Sequence, residues 1–293
     1  MTKFSHYSSL YLDFKKHELK NSTLDKYTNI VKNRVDPFFG DKNIVDIKVS
    51  DVKKWLYSID DVGSKSKRHY LGVLSGIFQE ALFDEVIQRN PVKLVRLPKY
   101  NKPDIKPFNA DEVKMIMNNV KDNNYKYYLA IAFYTGMRSG EIIGLKKEDI
   151  DFKNKVLYVK RSRNRFGEST PKTRGSIREI PIIQLLEPYI KELFDLHDNE
   201  YLFITQYKKP YRDTNVFTNK YWIPSLDKLQ IDYRRPYNTR HTYATNMLYN
   251  SLVSPVQLAQ LLGHANTQMV YDVYVSYIDS NYKDFDRSIS IYK

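Results

Sequence analysis

Four short segments of this 293-residue chain carry side chains whose types and spacing could do chemistry. The first is Thr135-Gly136-Met137-Arg138-Ser139-Gly140-Glu141. An arginine that follows an apolar helix and a glycine turn, and opens the next helix, is held rigidly at a helix N-terminus, a natural place to bind phosphate. Glu141, one turn on, can orient the guanidinium, although an Arg–Glu pair at this spacing is equally an ordinary surface ion pair of small worth. The second segment is Thr170-Pro171-Lys172-Thr173-Arg174, at the tip of a hairpin. A lysine there can reach into a DNA groove or protonate a leaving group; taken alone it also reads as a plain surface lysine. The third runs from Arg235 through Tyr237, Arg240 and His241 to Thr245, and the fourth from Leu261-Leu262-Gly263-His264 to Tyr274. Each alone is modest evidence; their order and spacing carry more.

Other chemistries are poorly supported. The chain has no GxxxxGK[ST] phosphate loop, no GxGxxG, no HExxH and no GxSxG. Ser64-x-x-Lys67 matches a weak nucleophile pattern but lies in a polar helix start. With no cysteine, disulfides, Cys-ligated zinc and thiol nucleophiles are excluded, which suits a reducing cytoplasm. The six histidines lack metal-ligand spacing. His6, His17 and His197 read as solvated. Neither a metal nor a cofactor is expected.

Composition sets the class of partner. Apolar residues make up 42% and charged residues 28%, the balance of a soluble globular protein. No apolar run has the length of a membrane span, and the first residues lack the apolar stretch of a signal peptide. The net charge is +13, with 17 Lys/Arg against 12 Asp/Glu in residues 1–98 and 30 against 22 in the remainder. Two basic domains suggest a polyanion gripped from both sides, with DNA or RNA the obvious candidate; a lysine-rich genome would leave the same bias.

The elements that position these residues can be read from periodicity. Residues 8–97 read as helical: a helix over 23–38 capped by Ser22/Thr23, a short one over 50–59, and a long apolar stripe over 64–87 ended by Asn90-Pro91. Residues 98–107 hold three prolines and three lysines with little to bury, marking a linker, taken as 99–107. A second domain, 108–279, opens with Asn109 and Glu112 as a capping box, and Phe108 and Val113 can staple across it. Helices are expected over 110–121, 124–136 and about 138–147. Strands over 156–159 and 177–182 would flank a polar hairpin. Further helices follow over 184–197, 214–229, 239–250, 255–262 and 267–278, the one at 255–262 started by Ser254-Pro255 and stopped by Gly263. The fold class is mainly α with a small β-sheet, and 280–293 form a tail.

In register, the four segments resemble the tyrosine recombinase (phage integrase) family. That family carries an arginine in TGxRxxE, a lysine in a strand hairpin, an HxxRH segment, an LGH segment and a tyrosine nine or ten residues later. The resemblance spans about 108–279, and residues 1–98 look like the family's helical core-site DNA-binding domain. It implies a site-specific recombinase that cuts and rejoins DNA through a 3′-phosphotyrosine link while integrating or excising a mobile element. By position, it implies that Arg138 and Arg240 bind the scissile phosphate and Lys172 protonates the departing 5′-hydroxyl. His264 would contact the phosphate or help move protons, and Tyr274 would attack phosphorus. It also implies a homotetramer on two double-stranded DNA sites, accessory DNA-bending or directionality proteins, a cytoplasmic, nucleoid-associated location, and a tail that docks on a neighbouring subunit or simply frays.

The physical logic agrees with these roles. A phenol with a pKa near 10 is only about 0.1% ionised at neutral pH. Two permanent guanidinium charges favour an anionic nucleophile and stabilise charge developing at phosphorus. The covalent link conserves the phosphodiester energy, so neither metal nor ATP is required.

One position departs from the pattern. Tyr237 stands where most members have histidine, a form that looks like a subset of prophage integrases; it can donate a hydrogen bond but is not cationic near neutral pH. His241 reads as a structural hydrogen-bonder. Among 25 tyrosines, Tyr271, Tyr274 and Tyr277 follow His264 closely and could share one broad helix face. The family spacing favours Tyr274 and leaves Tyr271 as a packing aromatic. Two alternatives stay open. One is a Xer-type chromosome-dimer resolvase, whose short layout the length resembles; the other is a non-catalytic DNA-binding protein on the same fold.

Overall fold

The computed structural model describes residues 2–97, 100, 105–169 and 176–278, with side chains to Tyr274 in the last stretch. The backbone is mainly helical with small antiparallel sheets, as periodicity predicts. It divides into two compact units, residues 1–103 and 104–293. Most of the expected linker and all of the tail 280–293 lie outside the described residues.

The first unit contains α1 (Phe4–Glu18), α2 (Asn21–Ile30), α3 (Asp36–Phe39), α4 (Val49–Ser58) and α5 (Ser64–Phe83). Leu71, Leu74, Ile77, Phe78 and Ala81 of α5 bury their stripe with Phe4, Tyr7 and Tyr11 of α1 and Trp55 of α4. Each buried leucine, isoleucine or phenylalanine among them contributes about 2 kcal/mol. Two expected boundaries move. Lys20, not Ser22 or Thr23, precedes α2, and it makes no side-chain cap. The α5 helix stops at Phe83, well before Asn90-Pro91. There Glu85 adopts φ +58, and Val86 N–H turns back to the Ala81 carbonyl at 3.0 Å. This reversal sends Val86 and Ile87 into the core. Pro91 instead opens a single tight turn, with the Asn90 side chain accepting from Val92 N–H at 3.0 Å.

Two helices carry a widened turn that periodicity does not reveal. Residues Val31–Val35 link α2 to α3, and Phe217–Trp222 lead into α10 (Ile223–Lys228). Each widened turn contains the residue four before a proline: Asn33 before Pro37, and Lys220 before Pro224. An interior proline lacks the N–H for that carbonyl and its ring crowds it; one wider turn accommodates both without breaking the helix.

In the second unit, α6 (Ala110–Asn119) begins with the expected reciprocal cap: Asn109 accepts from Glu112 N–H and Glu112 from Asn109 N–H, both at 2.8 Å. The α7 helix (Asn123–Thr135) is buried on nearly every face and forms the centre of the main core. The α8 helix covers only Ser139–Ile142 rather than the longer helix expected there, and a separate tight turn follows at Lys147–Asp149. A Cβ at Gly140 would lie 2.7 Å from the Arg163 carbonyl, so α8 rests directly on neighbouring backbone.

Strands β1 (Ile150–Asp151), β2 (Val156–Val159) and β5 (Arg178–Pro181) form an antiparallel sheet in the order β1-β2-β5, with Val159 opposite Arg178. The expected polar hairpin contains a ribbon of its own, β3 (Ser162–Asn164) with β4 (Gly167–Ser169). Helices α9 (Glu187–Asp195), α11 (Asn238–Tyr249), α12 (Pro255–Leu262) and α13 (Gln268–Ile278) complete the unit. His197, expected to be solvated, is half-buried with Nε2 3.2 Å from the Leu202 carbonyl. The last three helices enclose a small cluster of Ala244, Leu248, Leu258, Leu262, Val270 and Tyr274. Phe108 N–H donates to Thr242 Oγ1 at 2.9 Å, tying α11 to the start of α6.

Candidate active site

The turn after α7 holds two of the expected arginines. Gly136 has φ +62, and a Cβ there would lie 2.5 Å from the Tyr243 ring and 2.9 Å from Leu262. Only glycine meets both demands. Two residues on, Arg138 precedes α8; its N–H donates to Glu141 Oε2 at 2.9 Å and its Nη1 to Glu141 Oε1 at 2.7 Å. The Gly136 carbonyl accepts from Arg240 Nη1 at 2.8 Å, so one turn presents the first arginine and anchors the second.

Arg240, on the first turn of α11, is 1% exposed. Its Nη2 donates to the Leu262 carbonyl at 2.7 Å and lies 3.0 Å from His264 Nε2. The end of α12 serves as a common seat. Helix-terminal carbonyls lack partners within their helix and carry partial negative charge. Here Leu261 accepts from Arg178 Nε at 2.6 Å, Leu262 from Arg240 and from Arg138 Nη1 at 3.5 Å, and Gly263 from Arg138 Nη2 at 3.4 Å. Three guanidiniums therefore converge on one helix end. Gly263 closes α12 at φ +67, as its position predicts, and the chain turns there into His264.

Arg178 is a member that motif reading misses. It faces inward from β5 and donates to Ser176 O at 3.0 Å and to Glu141 Oε2 at 2.8 Å. A signal existed: period-2 alternation places Arg178 on the same face as Ile180 and Ile182, where an apolar residue is expected. Glu141, only 3% exposed, thus bridges Arg138 and Arg178. Burial pushes its carboxyl up, but the hydrogen bond and charge of Arg178, with the charge of Arg138, outweigh it and hold the group below the ordinary value.

The crowding of cations sets the state of the histidine. Burial, then Arg240, Arg138 and Arg178, push His264 down to about 4, so it is neutral near pH 7. Arginine only donates, so Nε2 accepts from Arg240 and the ring proton sits on Nδ1. That Nδ1 is buried and has no partner among the described residues. Burial and neighbouring cations also lower Arg240 to about 10, still fully protonated at neutral pH. Among the described residues no carboxylate pairs with Arg240. The cluster is short of negative charge and offers donors, which suits an anion.

The tyrosines occupy the next layer. Tyr274 on α13 is 2% exposed, and its hydroxyl lies 2.7 Å from His241 Nδ1. Tyr237 precedes α11, about half exposed, with its ring edge-on to His241 at 5.1 Å. Burial, then Arg240, push His241 down to about 4. Tyr271 is 43% exposed, so it is not the packing aromatic expected, and it does not share the buried position of Tyr274. The structure thus gathers Arg138, Arg240 and His264 into one hydrogen-bonded cluster, while Tyr274 and Tyr237 meet at His241, the next residue along α11. Lys172 lies outside the described residues.

Comparison with known proteins follows the same lines. The phage integrase family profile matches residues 106–281, and that of the phage integrase N-terminal SAM-like domain matches 3–59. A tyrosine recombinase XerC-like protein of Caldanaerobacter subterraneus subsp. tengcongensis is 29% identical over 286 residues, covering 86% of this chain and 72% of that protein. The Tn1549 transposon integrase in complex with a circular intermediate DNA superposes with a TM-score of 0.78 at 21% identity, covering 95% of this chain and 99% of the other. A lambda integrase tetramer bound to a Holliday junction gives 0.76 at 20% identity, covering 91% and 79%. Both structures share the fold. With its catalytic profile matched over more than half its length, the chain belongs to the phage integrase, or tyrosine recombinase, family.

Proposed function

We propose that Tyr274 is the nucleophile of this recombinase and that it attacks a DNA phosphodiester held by Arg138 and Arg240. The observation that carries this reading is the seating of three guanidiniums on the carbonyl end of α12, beside a neutral His264 whose Nδ1–H has no partner among the described residues. Arg138, with its side chain 35% exposed, is the open arm of the clamp, and Arg240 is its buried base. Both donate to the non-bridging oxygens and stabilise the charge that builds at phosphorus. His264 Nδ1–H adds a donor, and Tyr237 an uncharged one at the rim. As the Tyr274 oxygen bonds to phosphorus, the bond to the 5′-oxygen breaks; Lys172 supplies that oxygen's proton. The 3′-phosphotyrosine keeps the energy needed for rejoining.

Both halves of the chain are basic, which supports a duplex held by each unit. By likeness to the lambda integrase tetramer bound to a Holliday junction, four copies act together on a four-way junction. The family resemblance, rather than that structure, adds a second DNA site and accessory DNA-bending or directionality proteins to this reading. No helix among the described residues is long and apolar enough to cross a membrane, and the reading places the enzyme on DNA in the cytoplasm. The substrate class is the recombination site of a mobile element; the XerC-like relative favours chromosome-dimer resolution as a second reading. Sequencing the DNA ends trapped on the protein in its host separates the two. Tyr274→Phe is expected to bind DNA normally and form no SDS-stable adduct on a nicked suicide substrate; an adduct with that variant refutes the nucleophile.

A further inference from the structure

A half-buried titratable group beside the cluster has no task in this scheme. His241 follows Arg240 on α11, and its Nδ1 lies 2.7 Å from the Tyr274 hydroxyl. We propose that His241 is a catalytic residue: its Nδ1 takes the proton that Tyr274 gives up as the phenol oxygen attacks phosphorus. The inference rests on Tyr274 being the nucleophile.

The geometry argues for it by what the neighbouring groups are already doing. Arg138, Arg178 and Arg240 are protonated and cannot accept. The Glu141 carboxylate is bound by two guanidiniums, and the acceptor nitrogen of His264 faces Arg240. Tyr237 is itself a phenol. His241 Nδ1, by contrast, is turned to the attacking oxygen. A phenol is a far stronger acid than a neutral imidazole N–H, so in the resting state the hydroxyl donates to Nδ1 and the imidazole proton sits on Nε2. Burial and the Arg240 charge keep the ring unprotonated at neutral pH, hence able to accept.

Among the described residues, the charged and titratable groups seen around His241 are Arg240 and Tyr237 on its own helix, Tyr274 on α13, and His264 beyond Arg240. A bound phosphodiester adds a negative charge that opposes Arg240 and raises the proton affinity of the imidazole. The phenol also becomes more acidic as its oxygen bonds to phosphorus, so the proton moves with the attack rather than before it. The step balances: the Tyr274 O–H bond breaks and the His241 Nδ1–H bond forms. The phenol oxygen pair makes the P–O bond, and the 5′-oxygen leaves with its own pair. On rejoining, His241 returns the proton to Tyr274.

The test is single-turnover cleavage by the full chain at saturating DNA, with His241→Asn. The asparagine amide oxygen can hold the phenol where Nδ1 does but cannot take its proton. The expected result is a fall of about 100-fold or more. The same loss should appear with an ordinary substrate and with a 5′-bridging phosphorothiolate, whose sulfur leaves without protonation. The residual rate should climb about tenfold per pH unit as phenolate accumulates, while wild type stays flat.

A rate within a few fold of wild type overturns the proposal. So does a loss that is constant with pH, which makes His241 a positioning residue only, or rescue by the sulfur leaving group, which puts it on the other oxygen. Loss of DNA binding by both His241→Asn and His241→Gln assigns the residue to the core and also overturns it. A covalent adduct with Tyr274→Phe defeats the underlying nucleophile instead, whatever His241 does.

Discussion

Glu141→Gln separates the cluster's architecture from its chemistry. Glu141 accepts three hydrogen bonds, from Arg138 N–H, Arg138 Nη1 and Arg178 Nη2, at 3% exposure. Glutamine has the same shape but one acceptor oxygen and one NH2, so whichever way it turns, an amide donor faces an arginine donor. It also leaves the buried guanidinium of Arg178 without its counter-charge. Removing one member of a buried ion pair costs about 3–5 kcal/mol, which for a unit of this size lowers the melting temperature by about 6–20 °C. Arg138 loses the partner that orients it, so cleavage should fall about 10- to 100-fold from misplacement alone. The pH dependence carries a sign. The folded carboxyl lies below the ordinary 4.5, so its contribution is full above that value and is lost as pH falls through the lower, folded one. Calorimetry of both proteins from about pH 8 downward should show a constant gap that closes only below about pH 4.5. Equal melting at neutral pH, or a gap that persists unchanged in acid, refutes the buried bridge.

Gly136→Ala should be destabilised by about 2–4 kcal/mol, because φ +62 strains a non-glycine residue and the new Cβ would sit 2.5 Å from Tyr243. Denaturant unfolding measures this, and wild-type stability would mean the turn is looser than described. Tyr271→Phe should cleave within about twofold of wild type, since Tyr271 is 43% exposed and makes no contact that the clamp needs. Loss of the covalent adduct in that variant would move the nucleophile from Tyr274 to Tyr271.

Local rules made much of the fold legible. Asn109 with Glu112, and Ser254-Pro255 with Gly263, mark helix ends because the groups that satisfy the first N–H and last C=O groups lie within a few residues. The misjudged boundaries involve distant packing. Nothing near Phe83 announces the end of α5; Val86 and Ile87 end it by turning into a core built from α1 and α4. The short α8 likewise reflects Gly140 meeting the backbone of Arg163, a contact between segments more than twenty residues apart.

The site divides in the same way. Arg138, Arg240, His264 and Tyr274 are visible because each sits in a short segment of distinctive spacing. What joins them is not local, for the meeting point is a set of carbonyl groups, and carbonyls leave no mark in a sequence. Leu261, Leu262 and Gly263 present theirs to three arginines, so the glycine that ends α12 aligns acceptors for Arg138, Arg178 and Arg240 at once. Arg178 escapes motif reading because its task is to hold Glu141 and α12 rather than to reach solvent, and in sequence it is one charged residue in an apolar strand. His241 is legible as a hydrogen-bonder, but its partner is not, because Tyr274 arrives on a different helix. A helix end that seats three cations also links their positions. A shift of α12 moves Arg138, Arg240 and His264 together, so variants along α12 should lower cleavage in proportion to one another's effect on that seat rather than independently.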